Sequence, residues 1–177
     1  MRPEEEAQFA VYVTARRDRV RRTAYLICGD WHKADDLTQI AFVKLYGAWE
    51  RIRDYAALDG YVRSCLMRAA IDESRRPWRR EHATEQLPDA PAGPEDDLSG
   101  LVAERDLVRS ALRRVPRGQR AMLVLRFYEG LSVADVARAM ECSEGNVKSQ
   151  TARGLAALRA ALEDQGAGRP VSAEEQP

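Results

Sequence analysis

The stretch LSVADVARAMECSEGNVKSQTARGLAALRAAL, residues 131–162, decides how the chain is read. Ser132 and Asp135 stand as Ser-x-x-Asp, a box whose hydroxyl and carboxylate satisfy free backbone donors at a helix start. Val133, Val136, Ala137 and Met140 then share one apolar side of a short helix. Glu141-Cys142-Ser143 breaks that helix, with Ser143 as a second N-cap. In the helix that follows, Val147, Thr151, Gly154, Leu155, Leu158 and Leu162 recur at the spacing of a single stripe. Asn146, Ser149, Gln150 and Arg153 occupy the opposite side with Lys148 at its margin. They cluster near the N-terminus, where the positive end of the helix dipole favours phosphate.

Two helices, a three-residue turn and small Ala137 at their crossing predict a helix-turn-helix whose second helix enters the major groove of DNA. A helical hairpin with a solvated polar face is the plainer reading. Composition argues for DNA: the polar face carries Lys, Arg, Gln, Asn and Ser with Glu144 as its one acid, a donor-rich set suited to phosphates and base edges. Ser143, Asn146, Lys148, Ser149, Gln150 and Arg153 are therefore the candidate contact residues. Many such turns carry glycine where Glu141 stands, because a left-handed backbone penalises a Cβ.

Working outward, 177 residues with 45% hydrophobic and 32% charged side chains suffice for one folded domain or two small ones. Basic and acidic residues balance at 28 each, yet they are unevenly placed. Residues 1–80 hold 16 basic and 12 acidic side chains, 81–110 hold 2 and 8, and 111–163 hold 9 and 5, so two basic modules flank an acidic connector. Cys28, Cys65 and Cys142 are isolated, and His32 and His82 are the histidines, a pattern that gives no zinc site and fits reduced core thiols. There is no glycine-rich phosphate loop and no nucleophile-base pair, so no enzyme activity and no cofactor are expected. The absence of a long apolar run predicts a cytoplasmic protein with no membrane insertion.

The fold expected is all-α, two small helical domains joined by a flexible linker. Residues 4–28 read as a helix with Phe9, Val13, Val20, Ala24 and Ile27 inward and Arg16, Arg17, Arg19, Arg21 and Arg22 outward. Gly29-Asp30 separates it from a helix over 31–49, whose core stripe is Leu37, Ile40, Ala41, Leu45 and Ala48. Asp35, Gln39, Phe42 and Tyr46 make a second, mixed face of that helix, which taken alone is more often peripheral core than a binding face. Residues 50–60 form a connector, and 61–80 a helix interrupted by Pro77, with Val62, Cys65, Leu66 and Ala69 inward. Arg75, Arg76, Arg79 and Arg80 around Trp78 suit phosphate contact and base stacking. Residues 82–100 have the Pro/acid composition of a linker. A helix around Leu101, Val108, Leu112 and Val115 follows, then one opened by Pro116 that carries Ala121, Val124, Leu125 and Tyr128 inward. The tail after Gln165 is expected to be disordered.

In that order, RTAYLICGDWHKADDLTQIAFVKLY, GYVRSCLMRAAIDESRR, the Pro/acid linker and LRRVPRGQRAMLVLRFYEGLSVADVARAMECSEGNVKSQ resemble the extracytoplasmic-function group of bacterial sigma factors. The resemblance spans nearly the whole chain, in two unrelated motif blocks at the right separation. It implies binding to core RNA polymerase, recognition of promoter elements near minus 35 and minus 10, and help in melting the DNA. Residues 1–80 would be sigma region 2, 81–104 the linker, 105–163 region 4 and 164–177 a tail. The Asp-Asp-Leu-x-Gln-x-x-Phe helix would dock on the polymerase clamp through Asp36, Gln39 and Phe42, now promoted from surface to interface. The connector and the helix after it would read the minus 10 element through Asp54, Tyr55, Asp59, Arg63, Arg75 and Arg76, holding a base extruded from the non-template strand. Carry-over in the recognition helix falls on Lys148, Ser149 and Arg153, for the minus 35 element. Gln150 stands where a basic residue is frequent in the family, and Ala152 where a larger side chain occurs. An anti-sigma factor is a further candidate partner. Two rival readings use fewer of these blocks: a helix-turn-helix regulator that is not a polymerase subunit, and a helical adaptor for protein partners.

Overall fold

A computed structural model of the chain describes residues 2–52, 54–75 and 99–167, with side chains described for 2–52, 54–73 and 104–166. All regular structure among these residues is helical. Helix α1 (Pro3–Cys28) starts with Pro at its first position and three acids, Glu4, Glu5 and Glu6, in its first turn, where the helix dipole favours negative charge. It stops at Gly29, whose φ of 76° turns the backbone left-handed while its N–H bonds Tyr25 O at 2.7 Å. Asp30 immediately caps α2 (Trp31–Ala48), accepting from the Lys33 N–H at 3.0 Å. That two-residue junction forces α1 and α2 into an antiparallel pair, and α3 (Leu58–Arg75) packs on the other side of α2.

The core of this first bundle holds Ala24, Ile27, Ala34, Leu37, Ala41, Phe42, Leu45, Trp49, Leu58, Val62, Cys65, Leu66 and Ala69. An aromatic group closes its end: Phe9 meets Tyr46 and Trp49 edge-on at 5.1 and 5.2 Å, and Tyr55 meets Trp49 at 6.0 Å.

Residues 99 and 100, given to the linker by composition, and 101–104, given to it by the resemblance, form the first turns of α4 (Ser99–Arg114). Helix α5 (Arg117–Leu123) is capped by Pro116 and runs on into a π-helical turn over Val124–Tyr128. The helix-turn-helix follows as α6 (Val133–Met140) and α7 (Glu144–Ala167). Gly154 lets α7 lie close on α5, since a Cβ there would stand 3.2 Å from both Gln119 Cβ and Leu123 Cγ. Helix α7 also continues past the expected tail boundary: Asp164 pairs with Arg114 at 2.6 Å, and Gln165 Nε2 donates to Ser110 Oγ at 3.0 Å. Leu155, expected inward, is 40% exposed, while Ala161 is buried in its stead.

The two bundles pack against one another. Helix α3 lies on α6, and α1 lies on α4, α5 and the π-helical turn, so one apolar cluster runs through both. Periodicity predicted each bundle but not this contact. The remaining linker residues and the tail beyond Ala167 lie outside the described residues.

Candidate nucleic-acid interface

The helix-turn-helix is assembled from local bonds. Ser132 Oγ accepts from the Asp135 N–H at 3.0 Å and lies 2.6 Å from Asp135 Oδ2. The Ser132 hydroxyl, followed by Arg138, holds the Asp135 carboxyl below its ordinary range. Glu141 has φ 52° and ψ 46°, the left-handed conformation, and the Cys142 N–H closes the turn on Ala137 O at 3.0 Å. Its carboxylate reaches Arg68 of α3 at 2.6 Å. Ser143 Oγ accepts from the Asn146 N–H at 3.1 Å, so Ser143 caps α7 with its oxygen and keeps its hydroxyl proton for another acceptor. Fully buried Val147 pins the helix. Around that pin Ser143, Asn146, Lys148, Ser149 and Arg153 are exposed and Gln150 is half-buried. The six residues named from sequence therefore share the first turns of one helix, with their donors in solvent.

In the first bundle the candidates are held differently. Asp54 caps a short 3-10 turn over Tyr55–Ala57, accepting from the Ala56 N–H at 2.9 Å. Tyr55 is 59% exposed, and its hydroxyl lies 2.5 Å from Gln8 Oε1 of α1. Asp59 accepts from Tyr12 OH at 2.7 Å and from Arg16 Nε at 3.1 Å. Burial acts to raise the Asp59 carboxyl, but the Tyr12 and Arg16 bonds and the charges of Arg16 and Arg63 outweigh it and leave it below its ordinary value. Burial, then the same Asp59 bond, pushes the Tyr12 phenol up. The connector is thus fastened to α1 through Gln8, Tyr12 and Arg16, of which the helical spacing marked Arg16 alone, and only as an outward residue.

Arg63 does not face open solvent. Its guanidinium pairs with Glu129 at 3.3 Å, and its side chain is 20% exposed. Helix α3 ends at Arg75, and the Arg75 side chain lies outside the described residues, as do Arg76, Trp78, Arg79 and Arg80.

The face proposed for polymerase needs a correction. Asp36 and Gln39 are exposed, but Phe42 is 8% exposed and belongs to the core, so the three do not share one open surface. Helix α2 lies between α1 and α3 and buries a wide arc that takes in Thr38, Phe42 and Ala48 as well as Leu37, Ala41 and Leu45. Ile40, placed in the core by its spacing, is 42% exposed; Val43 is 64% and Tyr46 46% exposed. Asp36, Gln39, Ile40 and Val43 therefore lie together on the open side of α2. The arginines of α1 are likewise more than a solvated face, since Arg21 grips Asp35 of α2 at 2.5 and 3.1 Å and stacks over Trp31 at 4.3 Å.

Cys28, Cys65 and Cys142 are free thiols, and burial pushes Cys28 up to about 11. Among the described residues no group of three His, Cys, Asp or Glu could hold a metal ion, and no helix is long and apolar enough to cross a membrane.

A capped helix-turn-helix with an open donor face, joined to a second helical bundle with a fastened polar-aromatic connector, defines a two-module helical protein of the DNA-reading class. Comparison with known proteins gives the family. The family description "Sigma-70 region 2" matches residues 12–80, and "Sigma-70, region 4" matches residues 105–158. The RNA polymerase sigma-E factor of Streptomyces avermitilis is 37% identical over 161 residues, 91% of this chain and 88% of that one. The ECF RNA polymerase sigma factor SigM of Mycobacterium tuberculosis is 33% identical over 78% of this chain and 69% of its own length. Among solved structures, the sigma factor RpoE of Bartonella quintana, crystallised with the anti-sigma factor NepR, superposes with a TM-score of 0.69 at 20% identity, covering 88% of this chain and 97% of that one. The chain belongs to the sigma-70 family, in its extracytoplasmic-function group.

Proposed function

We propose that this protein is an alternative sigma factor of the extracytoplasmic-function group: it binds core RNA polymerase, brings it to promoters with minus 35 and minus 10 elements, and promotes initiation. The observation that carries this reading is the occurrence of both sigma-70 regions, in order, in one chain that aligns over 91% of its length with an RNA polymerase sigma-E factor. It works in the cytoplasm with the polymerase, as sigma factors do, and it is not an enzyme.

Within that function, region 4 takes the minus 35 element through Ser143, Asn146, Lys148, Ser149, Gln150 and Arg153. Their exposure on the first turns of α7 supports the assignment, because an α-helix fits the major groove and its N-terminal residues reach base edges and phosphates first. Region 2 takes the minus 10 element through Asp54, Tyr55, Asp59 and Arg63, with Arg75 and Arg76 from the basic run that follows in the sequence. Tyr55 is exposed on a connector whose backbone is held by Asp54 and by bonds to α1, which suits stacking on an unpaired base. Asp36 and Gln39, flanked by Ile40 and Val43, make the polymerase-facing side of α2. An anti-sigma factor is a candidate regulator, a partner that the structurally similar Bartonella protein has.

Reconstitution tests this directly. Core polymerase supplemented with the protein should copurify with it and start transcripts at defined positions on promoter templates. A protein that binds promoter DNA without associating with core polymerase would be a regulator of the rival kind.

A further inference from the structure

Where the end of α1 meets the corner between α4 and α5, three arginines come together. Arg120 of α5 is 8% exposed; its buried Nε has no hydrogen-bond partner, and no carboxylate pairs with its guanidinium, among the described residues. Its Nη1 lies 3.3 Å from where a Cβ on Gly29 would stand, and Cγ of Arg113 packs on the same spot at 3.3 Å. Arg117, three residues before Arg120 on the same helix, is half-buried, and no described carboxylate pairs with it either. Burial first, then the charge of Arg117, pull the Arg120 pKa down to about 10, and Arg113 acts in the same direction. A guanidinium with that value is still charged at neutral pH.

Nothing nearby balances this charge. The Cys28 thiol acts on Arg120 in the opposite sense, but burial pushes the thiol up to about 11, so it keeps its proton and brings no negative charge. Asp30 and Glu73 are the acids near that thiol, and neither pairs with Arg117 or Arg120. Glu129, the most deeply buried carboxylate of the module contact, is already taken up by Arg19 at 3.1 Å, by Arg63 at 3.3 Å and by the Thr23 hydroxyl. Beside Arg117 lies an apolar cavity of about 60 Å³ between Ile27, Met67, Ala70, Ile71, Ala121 and Met140, whose wall supplies no acid. A desolvated cation beside others of its own sign is costly until an anion completes it.

We propose that Arg117 and Arg120, with the charge of Arg113 beside them and Gly29 leaving the space, form a binding site for a phosphate group, either free or at the end of a small nucleotide. The planar donor fork of arginine matches such an oxyanion, and a tetrahedral phosphate accepts from two guanidiniums on different sides where a planar carboxylate offers one edge. Enclosure of Arg120 selects a compact anion over an extended polymer. Bound there, the phosphate takes up donors that the fold leaves open and ties the end of α1 to the α4–α5 corner. The site needs neither DNA nor polymerase.

The test is titration calorimetry and thermal melting of the full chain with sodium phosphate, with chloride at equal ionic strength as the control. Wild type should take up one phosphate per chain at about millimolar concentration or below, and melt about 2 °C or more higher when saturated. Arg117→Gln should weaken that uptake about tenfold, the loss of a bond between charged groups, and Arg120→Met should abolish it. Without phosphate, Arg120→Met should melt no lower than wild type, because it removes a buried charge that has no partner. Should Arg120→Met fail to fold, Arg117→Gln, at a half-buried position, carries the decision. Adenosine and guanosine triphosphate in place of phosphate tell the sources apart. Affinity equal to that of phosphate makes the free ion the ligand; tighter binding that Arg117→Gln weakens makes it the phosphate end of a nucleotide. No saturable uptake of phosphate or nucleotide by wild type, or variants that bind as tightly as wild type, overturns the inference. Stabilisation by duplex DNA with none by phosphate or nucleotide overturns it as well, since these arginines would then belong to the DNA face.

Discussion

The two parts of this molecule proposed to read DNA are built on different length scales. The recognition end of α7 is made by neighbours in sequence: Ser132 with Asp135, Cys142 with Ala137, and Ser143 with Asn146. The connector side, proposed for the minus 10 element, is made by partners far along the chain: Tyr12 and Arg16 with Asp59, Gln8 with Tyr55, and Arg63 with Glu129. Local capping gives a helix end its shape wherever it is placed, whereas a connector held by long-range bonds keeps its shape only inside its bundle. A substitution in α7 should therefore change DNA binding and leave stability alone, and one in region 2 should change both.

The sharpest contrast is between faces of α2. Phe42→Ala should destabilise the protein by about 3 kcal/mol, because it empties a core position, whereas Gln39→Ala and Val43→Ala should leave thermal unfolding nearly unchanged and weaken association with core polymerase. Urea denaturation with competition against another sigma factor separates the two. A Phe42→Ala protein of native stability would put that ring at the surface after all.

Next in size is the recognition helix. Lys148→Ala and Arg153→Ala should each cost about 1 to 3 kcal/mol in binding to minus 35 DNA, without loss of stability. Templates altered in one block at a time give the check, and a loss of discrimination at minus 10 would break the assignment of module to element.

The connector should respond more weakly and with a pH signature. Tyr12→Phe removes one half-buried bond to a carboxylate and should cost about 1 kcal/mol of stability while impairing strand opening, seen as lower permanganate reactivity. The Asp59 carboxyl is held below its ordinary value of 3.8, so its contribution is complete above that pH and is lost as pH falls through the lower folded value. The stability gap between wild type and Asp59→Asn should accordingly narrow under acid. A gap that widens instead would mean that the Tyr12 and Arg16 bonds do not stabilise the charged form.

The smallest effect falls at the turn. Glu141→Gly relieves a left-handed backbone worth roughly 1 kcal/mol and gives up an exposed ion pair to Arg68 worth less, so the melting temperature should rise by about 2 °C or less, with promoter choice unchanged. A fall would show that the Arg68 pair outweighs the strain.

The same difference in length scale explains what could be read from the residues alone. Ser132, Asp135 and Ser143 announce their helix ends, and the spacing through Val147 announces the buried stripe, so the helix-turn-helix and its exposed donors follow from pattern. Helix α2 misled because its burial depends on two flanking helices: the stripe through Leu37 and Leu45 was correct, but Ile40 and Phe42 exchanged sides. Leu155 misled for a similar reason, since α7 packs on α4, α5 and α6 and its buried side depends on partners far along the chain. Glu129 carried no signal at all, because its meaning comes from Arg19, Thr23 and Arg63, 66 or more residues away.

In the proposed function one chain joins polymerase to two promoter elements, each read by its own module. Mapping transcription start sites after expression of the protein tests it most directly, with the Lys148→Ala, Arg153→Ala double variant in parallel. We expect a new set of starts sharing two upstream blocks near minus 35 and minus 10, and a variant whose remaining starts lose the upstream preference while keeping the downstream one. No new starts, or a variant that loses the downstream block instead, would contradict it.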